Sequence, residues 1–262
     1  MEILVCIKQV PGTTKVEVDP ETGVLKRAGV DSKMNPYDLY ALETALRLKE
    51  RHGGTVRVLS MGPPQAAEVI REAYMMGADD GALITDGGFA GSDVLATSRA
   101  LSEGIKKLGA FDLILCGKQT TDGDTAQVGP EIAEFLDIPH VANIIRMVEI
   151  RENSAVVEMD MGSVVQTAEV SFPCLLTVEK DIFQPRLPSY RRKKSAGERE
   201  IRTISRKDLG DAVERNYGLN GSPTQVERIF PPEAGGSREI WTGTGEELSL
   251  KMAEKLRQLK FI

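Results

Sequence analysis

Apolar and polar positions come in blocks along the first half of the chain, and the blocks alternate between two periods. Ile3 to Ile7 is an unbroken apolar run, the pattern of a strand buried on both faces. Val16 to Leu25 predicts a hairpin turning at Asp19-Pro-Glu-Thr-Gly23. Asn35-Pro36 opens a helix, since Asn is a strong N-cap and Pro at the first helical position loses no hydrogen bond. Leu39, Leu42, Leu46 and Lys49 follow at helical spacing, and His52-Gly53-Gly54 stops it. Val56 to Ser60 reads as the next strand, Met61-Gly-Pro-Pro64 as the start of a helix reaching about Gly77, Ala82 to Ile84 as a strand, and Ser92 to Leu108 as a helix. Leu113 to Cys116 is a further strand, followed by a long polar loop and a helix from about Glu131 to Leu136. Strands alternating with helices predict an α/β fold with a parallel sheet and right-handed crossovers.

The pattern changes after Ile138-Pro139. Val148 to Ile150, Ala155 to Met159 and Val164 to Val170 predict a small antiparallel extension turning at Met161-Gly-Ser163, and Cys174 to Val178 returns as a buried strand. From Phe183 the core signal fades. Arg186 to Lys207 carries nine basic residues against Glu198 and Glu200, and the chain ends in Gly235-Gly236, Trp241 and an amphipathic helix over Glu246 to Leu259. The expected organisation is a nucleotide-binding α/β body over 1–184 and an extended arm over 185–262.

Composition narrows the function classes. Of 262 residues 41% are hydrophobic, enough for a packed core, and the net charge of −6 gives no global attraction to nucleic acid or anionic membrane. No run approaches the roughly 18 apolar residues of a membrane span, and the chain opens on a strand pattern, so neither a span nor a signal peptide is expected. Cys6, Cys116 and Cys174 sit in or at the end of apolar runs, as buried free thiols of a reducing cytoplasm would. With two histidines and no Cys-x-x-Cys, no metal centre is expected.

The candidate chemistry gathers in the loop after Cys116. Gly117, Gln119, Thr120, Thr121, Asp122, Gly123, Asp124, Thr125, Ala126, Gln127, Val128, Gly129, Pro130 and Glu131 join a strand to a helix, the arrangement by which α/β sheets hold nucleotides at their carboxyl edge. Gly117-Lys118 is not a P-loop, because Asp112 and Gln119 stand where that motif needs Gly and Ser or Thr. No Gly-x-Gly-x-x-Gly follows the first strand. An ordinary polar connection is the competing reading, against which stand the loop's length and hydroxyl density. Asp122 and Asp124 suit acid–base work, or read as solvated loop acids or acids bonding the loop backbone. Asn35 to Asp38, and Phe89-Ala90-Gly91-Ser92-Asp93, read as helix caps or as helix N-termini receiving a ligand. The basic run from Arg186 reads as a solvated surface or as a docking segment.

Taken in order, Val-Cys-Ile-Lys-Gln-Val-Pro (5–11), Met-Asn-Pro-Tyr-Asp (34–38), Ala-Leu-Glu-Thr-Ala-Leu (41–46), Ser-Met-Gly-Pro-Pro (60–64), Met-Gly-Ala-Asp (76–79), the 116–130 loop and Phe-Pro-Cys-Leu-Leu-Thr-Val (172–178) resemble the β subunit of electron transfer flavoproteins. The resemblance implies a heterodimer with an α subunit carrying FAD. It implies a β-subunit nucleotide against Cys6, Asn35, Pro36, Tyr37, Asp38, Met61 and the loop Thr120 to Glu131. That nucleotide is AMP in respiratory members and a second FAD in members that bifurcate electrons from NADH. There one electron goes to ferredoxin or flavodoxin and the other, through the α-subunit FAD, to a dehydrogenase of acyl-CoA, enoyl-CoA or hydroxy-acid type.

The stretch Phe89 to Ser98, the Asp122–Pro130 loop and Met34 to Glu43 resemble the bifurcating branch. By that resemblance Asp93, Val94 and Thr97 line the flavin, and Phe89, Ala90, Gly91 and Ser92 the NADH region. Those relatives usually have Thr at the position of Val94, and a polar residue such as Arg at that of Gly87. The segment Gln184 to Lys194 corresponds to their dehydrogenase-docking loop, with Leu187, Tyr190 and Arg191 as contact residues, and the terminal arm is expected to pack on the α subunit. The implied activity is that of one subunit of an NADH-linked electron-transferring complex, with no nucleophile or general base in this chain.

Overall fold

The computed structural model describes residues 1–12, 32–227 and 238–262. The hairpin expected over 16–25 lies outside them. Along the chain come β1 (Glu2–Cys6), β2 (Gln9–Pro11), β3 (Ser32–Met34), α1 (Pro36–His52), β4 (Thr55–Met61), α2 (Ala67–Met76), β5 (Asp80–Ile84), α3 (Val94–Leu108), β6 (Leu113–Gly117) and α4 (Val128–Leu136). Then follow β7 (His140–Ile150), β8 (Ser154–Asp160), β9 (Val165–Ser171), β10 (Cys174–Val178), α5 (Tyr190–Glu198), β11 (Arg202–Ile204) and α6 (Gly245–Gln258).

Among the described residues nine strands form one sheet in the order β11-β5-β4-β1-β6-β10-β7-β8-β9, and β2 and β3 form a separate antiparallel pair. The sheet is parallel from β11 through β7, and β7, β8 and β9 continue it as an antiparallel meander. The apolar runs are accounted for by burial on both faces. Ile3, Val5, Leu42, Val58, Ile70 and Leu115 belong to one core layer, under α1 and α2, while Leu4, Leu59, Ala100, Ile132 and Leu175 belong to the other, under α3 and α4. The chain winds from β1 toward β4 and β5, then returns across β1 to β6. Strand order therefore reverses between β1 and β6, the topological switch point at which open α/β sheets hold ligands outside their carboxyl ends.

Three expectations change. Helix α4 begins at Val128, three residues before the expected start, because Gly129-Pro130 lies in its first turn, where a missing N–H costs nothing. Helix α3 begins at Val94, with Asp93 rather than Ser92 before it. The body also extends beyond 184: one compact unit includes the described residues through Glu227. Within it α5 packs on α2, β11 pairs with β5, and Ala196, Ile204, Leu209 and Tyr217 are buried. These apolar positions are scattered because each fills a separate gap in a polar segment, so no period marks them.

The second unit contains α6, whose first turn is closed by a capping box between Thr244 and Glu247. Trp241 donates to Glu239 at 3.1 Å and lies 4.9 Å from the Lys251 ammonium. Leu250, Met252, Leu259, Phe261 and Ile262 are exposed. Among the described residues no helix is long and apolar enough to cross a membrane.

Candidate nucleotide site at the switch point

Cys6 ends β1 and Cys116 lies one residue from the end of β6, and the two are register partners. Hydrogen bonding with Cys6, and then burial, push the Cys116 thiol up, so it stays protonated. Beyond these strand ends the 117–127 loop is fastened to the start of α1. Asn35 is fully buried, and its side chain does not cap the helix as expected. Instead its Nδ2 donates to Asp38 Oδ1 and to the Gln119 carbonyl, both at 2.9 Å, while its Oδ1 accepts from the Thr121 N–H at 3.2 Å. Asp38 Oδ2 accepts from the Lys8 N–H at 2.7 Å. Burial pushes the Asp38 carboxyl up to about 7, against the pull of Asn35, the Lys8 N–H and charge, and the Gly117 N–H.

Gly117 is required by this closeness, since a Cβ there would stand 2.4 Å from Asp38 Oδ1 and 2.7 Å from the Tyr37 carbonyl carbon. Asn35 and Asp38, expected as ligand contacts, thus have their side chains engaged in holding the loop.

The loop acids are engaged as well. Both Asp122 oxygens lie within 2.8 Å of Lys8 Nζ. Burial would raise the Asp122 carboxyl, but the Lys8 hydrogen bond and charge outweigh it and hold it below the usual carboxylate range. Asp124 accepts from the Gln119 amide. Both acids have side-chain partners, Lys8 and Gln119, rather than the loop backbone expected of them. Lys118 pairs with Glu179 at 2.6 Å, away from any phosphate role. Asp124 and Ala126 take left-handed backbone conformations, with φ of 53° and 55°. That costs about 1–2 kcal/mol for a residue such as Ala126 and marks a loop whose shape is imposed by its surroundings.

With those side chains occupied, the open groups are the exposed Thr121, Gly123, Thr125 and Gln127, and the beginning of α4. Gln127 makes no side-chain cap, so the first N–H groups of α4 are left without one. Gly129 is buried against β10, where a Cβ would come within 2.6 Å of Thr177 Cγ2. Beside it, Glu131 Oε2 is buried with no hydrogen-bond partner. Burial pushes the Glu131 carboxyl up, opposed by the Ser98 hydroxyl. An uncapped helix start suits phosphate, and an unpaired carboxyl oxygen suits a sugar or ribityl hydroxyl. The donor set therefore fits a nucleotide.

Helix α3 packs beside α4, with the Ser98 hydroxyl 3.4 Å from the Val128 carbonyl. Val94 and Thr97 are half-buried in the first turn of α3. Asp93 is a cap: its Oδ1 accepts from the Ala96 N–H at 3.1 Å, and its Oδ2 from the Thr224 N–H and hydroxyl. Phe89 is buried edge-on against Tyr217, 5.7 Å between centroids, and the Ser92 hydroxyl donates to the Phe89 carbonyl. Ala90 and Gly91 are exposed, and Met61 is half-buried at the end of β4. Sequence reasoning gave no role to Lys8, and Ser98 only a place at the end of the stretch expected to line the flavin and NADH region. The signal for Lys8 is topological, because Lys8 and Asp122 are 114 residues apart and meet through the strand order.

Two turns along α1, Glu43 binds Arg186, while Leu187, Tyr190 and Arg191 face solvent.

Residues 22–209 match the family model described as the electron transfer flavoprotein domain. Over 264 residues the chain is 45% identical to the caffeyl-CoA reductase-Etf complex subunit CarD of Acetobacterium woodii, covering all of both chains. It is 46% identical over 258 residues to an electron transfer flavoprotein subunit beta of Thermoanaerobacterium thermosaccharolyticum, covering 98% of each. It is 44% identical over 241 residues to protein FixA of Azorhizobium caulinodans, covering 89% of this chain and 85% of FixA. With a doubly wound sheet, a polar loop at its switch point and such relatives over 89% or more of its length, the chain belongs to the electron transfer flavoprotein family, among its β subunits.

Proposed function

We propose that this β subunit binds FAD at the 117–131 loop and serves a cytoplasmic, electron-bifurcating complex with an α subunit. Bound there, FAD would take hydride from NADH and release electrons singly, one toward ferredoxin or flavodoxin and one through the α-subunit FAD to a partner dehydrogenase. The observation that carries the nucleotide is the start of α4, where uncapped N–H groups and the orphaned Glu131 Oε2 stand together at the switch point. FAD in preference to AMP is supported by the full-length similarity to CarD, whose name places it in a reductase–Etf complex. The same name supports an acyl-CoA-type dehydrogenase as partner.

Each group then has a task. The first turn of α4 would donate to phosphate oxygens, and the Cys6 strand end and Met61 would hold the adenine. Tyr37 and Pro36 close one side, and Val94 and Thr97 lie toward the flavin ring. Ala90 and Gly91, exposed before α3, border the NADH approach. Leu187 and Tyr190, with Arg191, dock the dehydrogenase, as exposed apolar anchors ringed by cations suit a hot spot. The exposed apolar residues of α6 and the chain end pack on the α subunit.

Val94 favours the alternative, structural AMP and a non-bifurcating shuttle, because it offers no hydroxyl to a flavin. Extraction of nucleotide from the purified αβ complex decides between them. Two FAD per heterodimer are expected; one FAD and one AMP would replace the flavin reading by the AMP reading.

A further inference from the structure

We propose that Glu43 is a positioning residue for partner docking: from α1 it clamps Arg186 and so sets the 184–189 loop with Leu187 facing outward, ahead of Tyr190 at the start of α5. This rests on the docking reading above.

Glu43 is 2% exposed and takes no part in the nucleotide loop. Its Oε2 accepts from the Arg186 backbone N–H at 3.1 Å and from Arg186 Nε at 2.8 Å. Its Oε1 accepts from Arg186 Nη2 at 3.2 Å and from Arg47 Nε at 2.8 Å. Glu50 takes the remaining edge of the guanidinium at 2.6 Å. A buried carboxylate with four N–H donors is a strong, directional fixture. The backbone donor is the informative one, because it holds the main chain of the loop rather than one flexible side chain.

The loop needs such a fixture. Gln184 to Pro188 line an open pocket of about 320 Å³ together with Leu39, Tyr40 and Met76, so this side of the loop faces open space rather than a packed neighbour. Past the clamp, the Ser189 N–H donates to the Met75 carbonyl at 3.0 Å, which pins the far end. Between these two points Leu187 stands 87% exposed, and Tyr190, just past the second, 89%. Apolar side chains held in solvent on a pinned loop are pre-ordered for contact, which lowers the ordering cost of binding.

The test uses the αβ complex, photoreduced beforehand so that the result is independent of the electron donor. Rapid mixing with a FAD-containing acyl-CoA dehydrogenase that turns over with the unaltered complex gives a half-saturating concentration and a limiting rate. For Glu43→Gln the half-saturating concentration should rise about tenfold. The limiting rate and the reduction of a small dye should not change, and amide exchange over 184–189 should accelerate. Arg186→Met breaks the clamp from its partly exposed side and should reproduce the rise. Tyr190→Ala, run alongside, tests docking itself. A rise for Tyr190→Ala with none for Glu43→Gln or Arg186→Met overturns the role of Glu43 and leaves docking intact. No rise in any variant overturns docking and the clamp together. Equal loss toward dehydrogenase and dye reduces Glu43 to a stability residue and also overturns the inference.

Discussion

Asp38 is the residue on which the site's shape turns. It receives N–H groups from the first strand end, from Asn35 and from the second strand end, in a position 4% exposed. Replacing it by Asn turns a donor toward donors and leaves buried N–H groups unpaired, a loss of about 1–3 kcal/mol. Thermal denaturation of the αβ complex carrying Asp38→Asn should show that loss. The sign of the pH effect is fixed by the direction of the shift. The native carboxyl titrates at about 7 against an ordinary 3.8, so the native state holds the extra proton between these values. The stability Asp38 contributes is full below 3.8 and is lost as pH rises through about 7. Between these values Asp38→Asn should flatten that part of the stability curve, and an unchanged slope would remove Asp38 as its source. Sequence alone could not reach this point. Asn35 reads as a cap because capping and loop-holding use the same short amide, and only the partner across the sheet edge separates the two.

At the scale of elements, strand and helix identities were legible where burial on both faces leaves unbroken apolar runs, as in Ile3 to Ile7 and Leu113 to Cys116. β11 was not, because three residues with one buried side chain, Ile204, carry no period. The start of α4 was misplaced because Gly129-Pro130 spells a turn and a first helical turn alike. The loop between β6 and α4 yields a sharper substitution than composition suggested. Val at Gly129 would collide with Thr177 inside the protein, whereas a Cβ at Gly123 meets only Thr120 Oγ1, at 3.4 Å. Gly123→Val therefore adds bulk on the open side. The variant complex should lose most of its β-site nucleotide and keep its α-subunit flavin, as measured by extraction. Normal nucleotide content would place the ligand elsewhere.

At the scale of the molecule, the expected boundary near 184 and the structural one after Glu227 differ because the buried apolar positions between them are scattered through a polar segment. Arg192 and Arg199 are charged, yet they donate to the carbonyls of Met76, Ala78 and Asp79 at the end of α2, and so join α5 to the body. The unit containing α6 carries the exposed Leu250 and Met252. Coexpression of residues 1–227 with the α subunit should leave the two chains unassociated on gel filtration. A stable heterodimer without residues 228–262 would assign subunit pairing to the body instead.

Helix α1 begins one residue after Asn35 and carries Glu43 two turns on. The two fixtures are thus about 12 Å apart along the axis, at about 1.5 Å per residue. They stand about 80° apart around the axis, and a single residue inserted between them would swing Glu43 by about 100° more and carry it away from Arg186, while Asn35 stayed in place. The seven residues between Asn35 and Glu43 therefore act as a spacer of fixed length. Their number is constrained even where their chemistry is not.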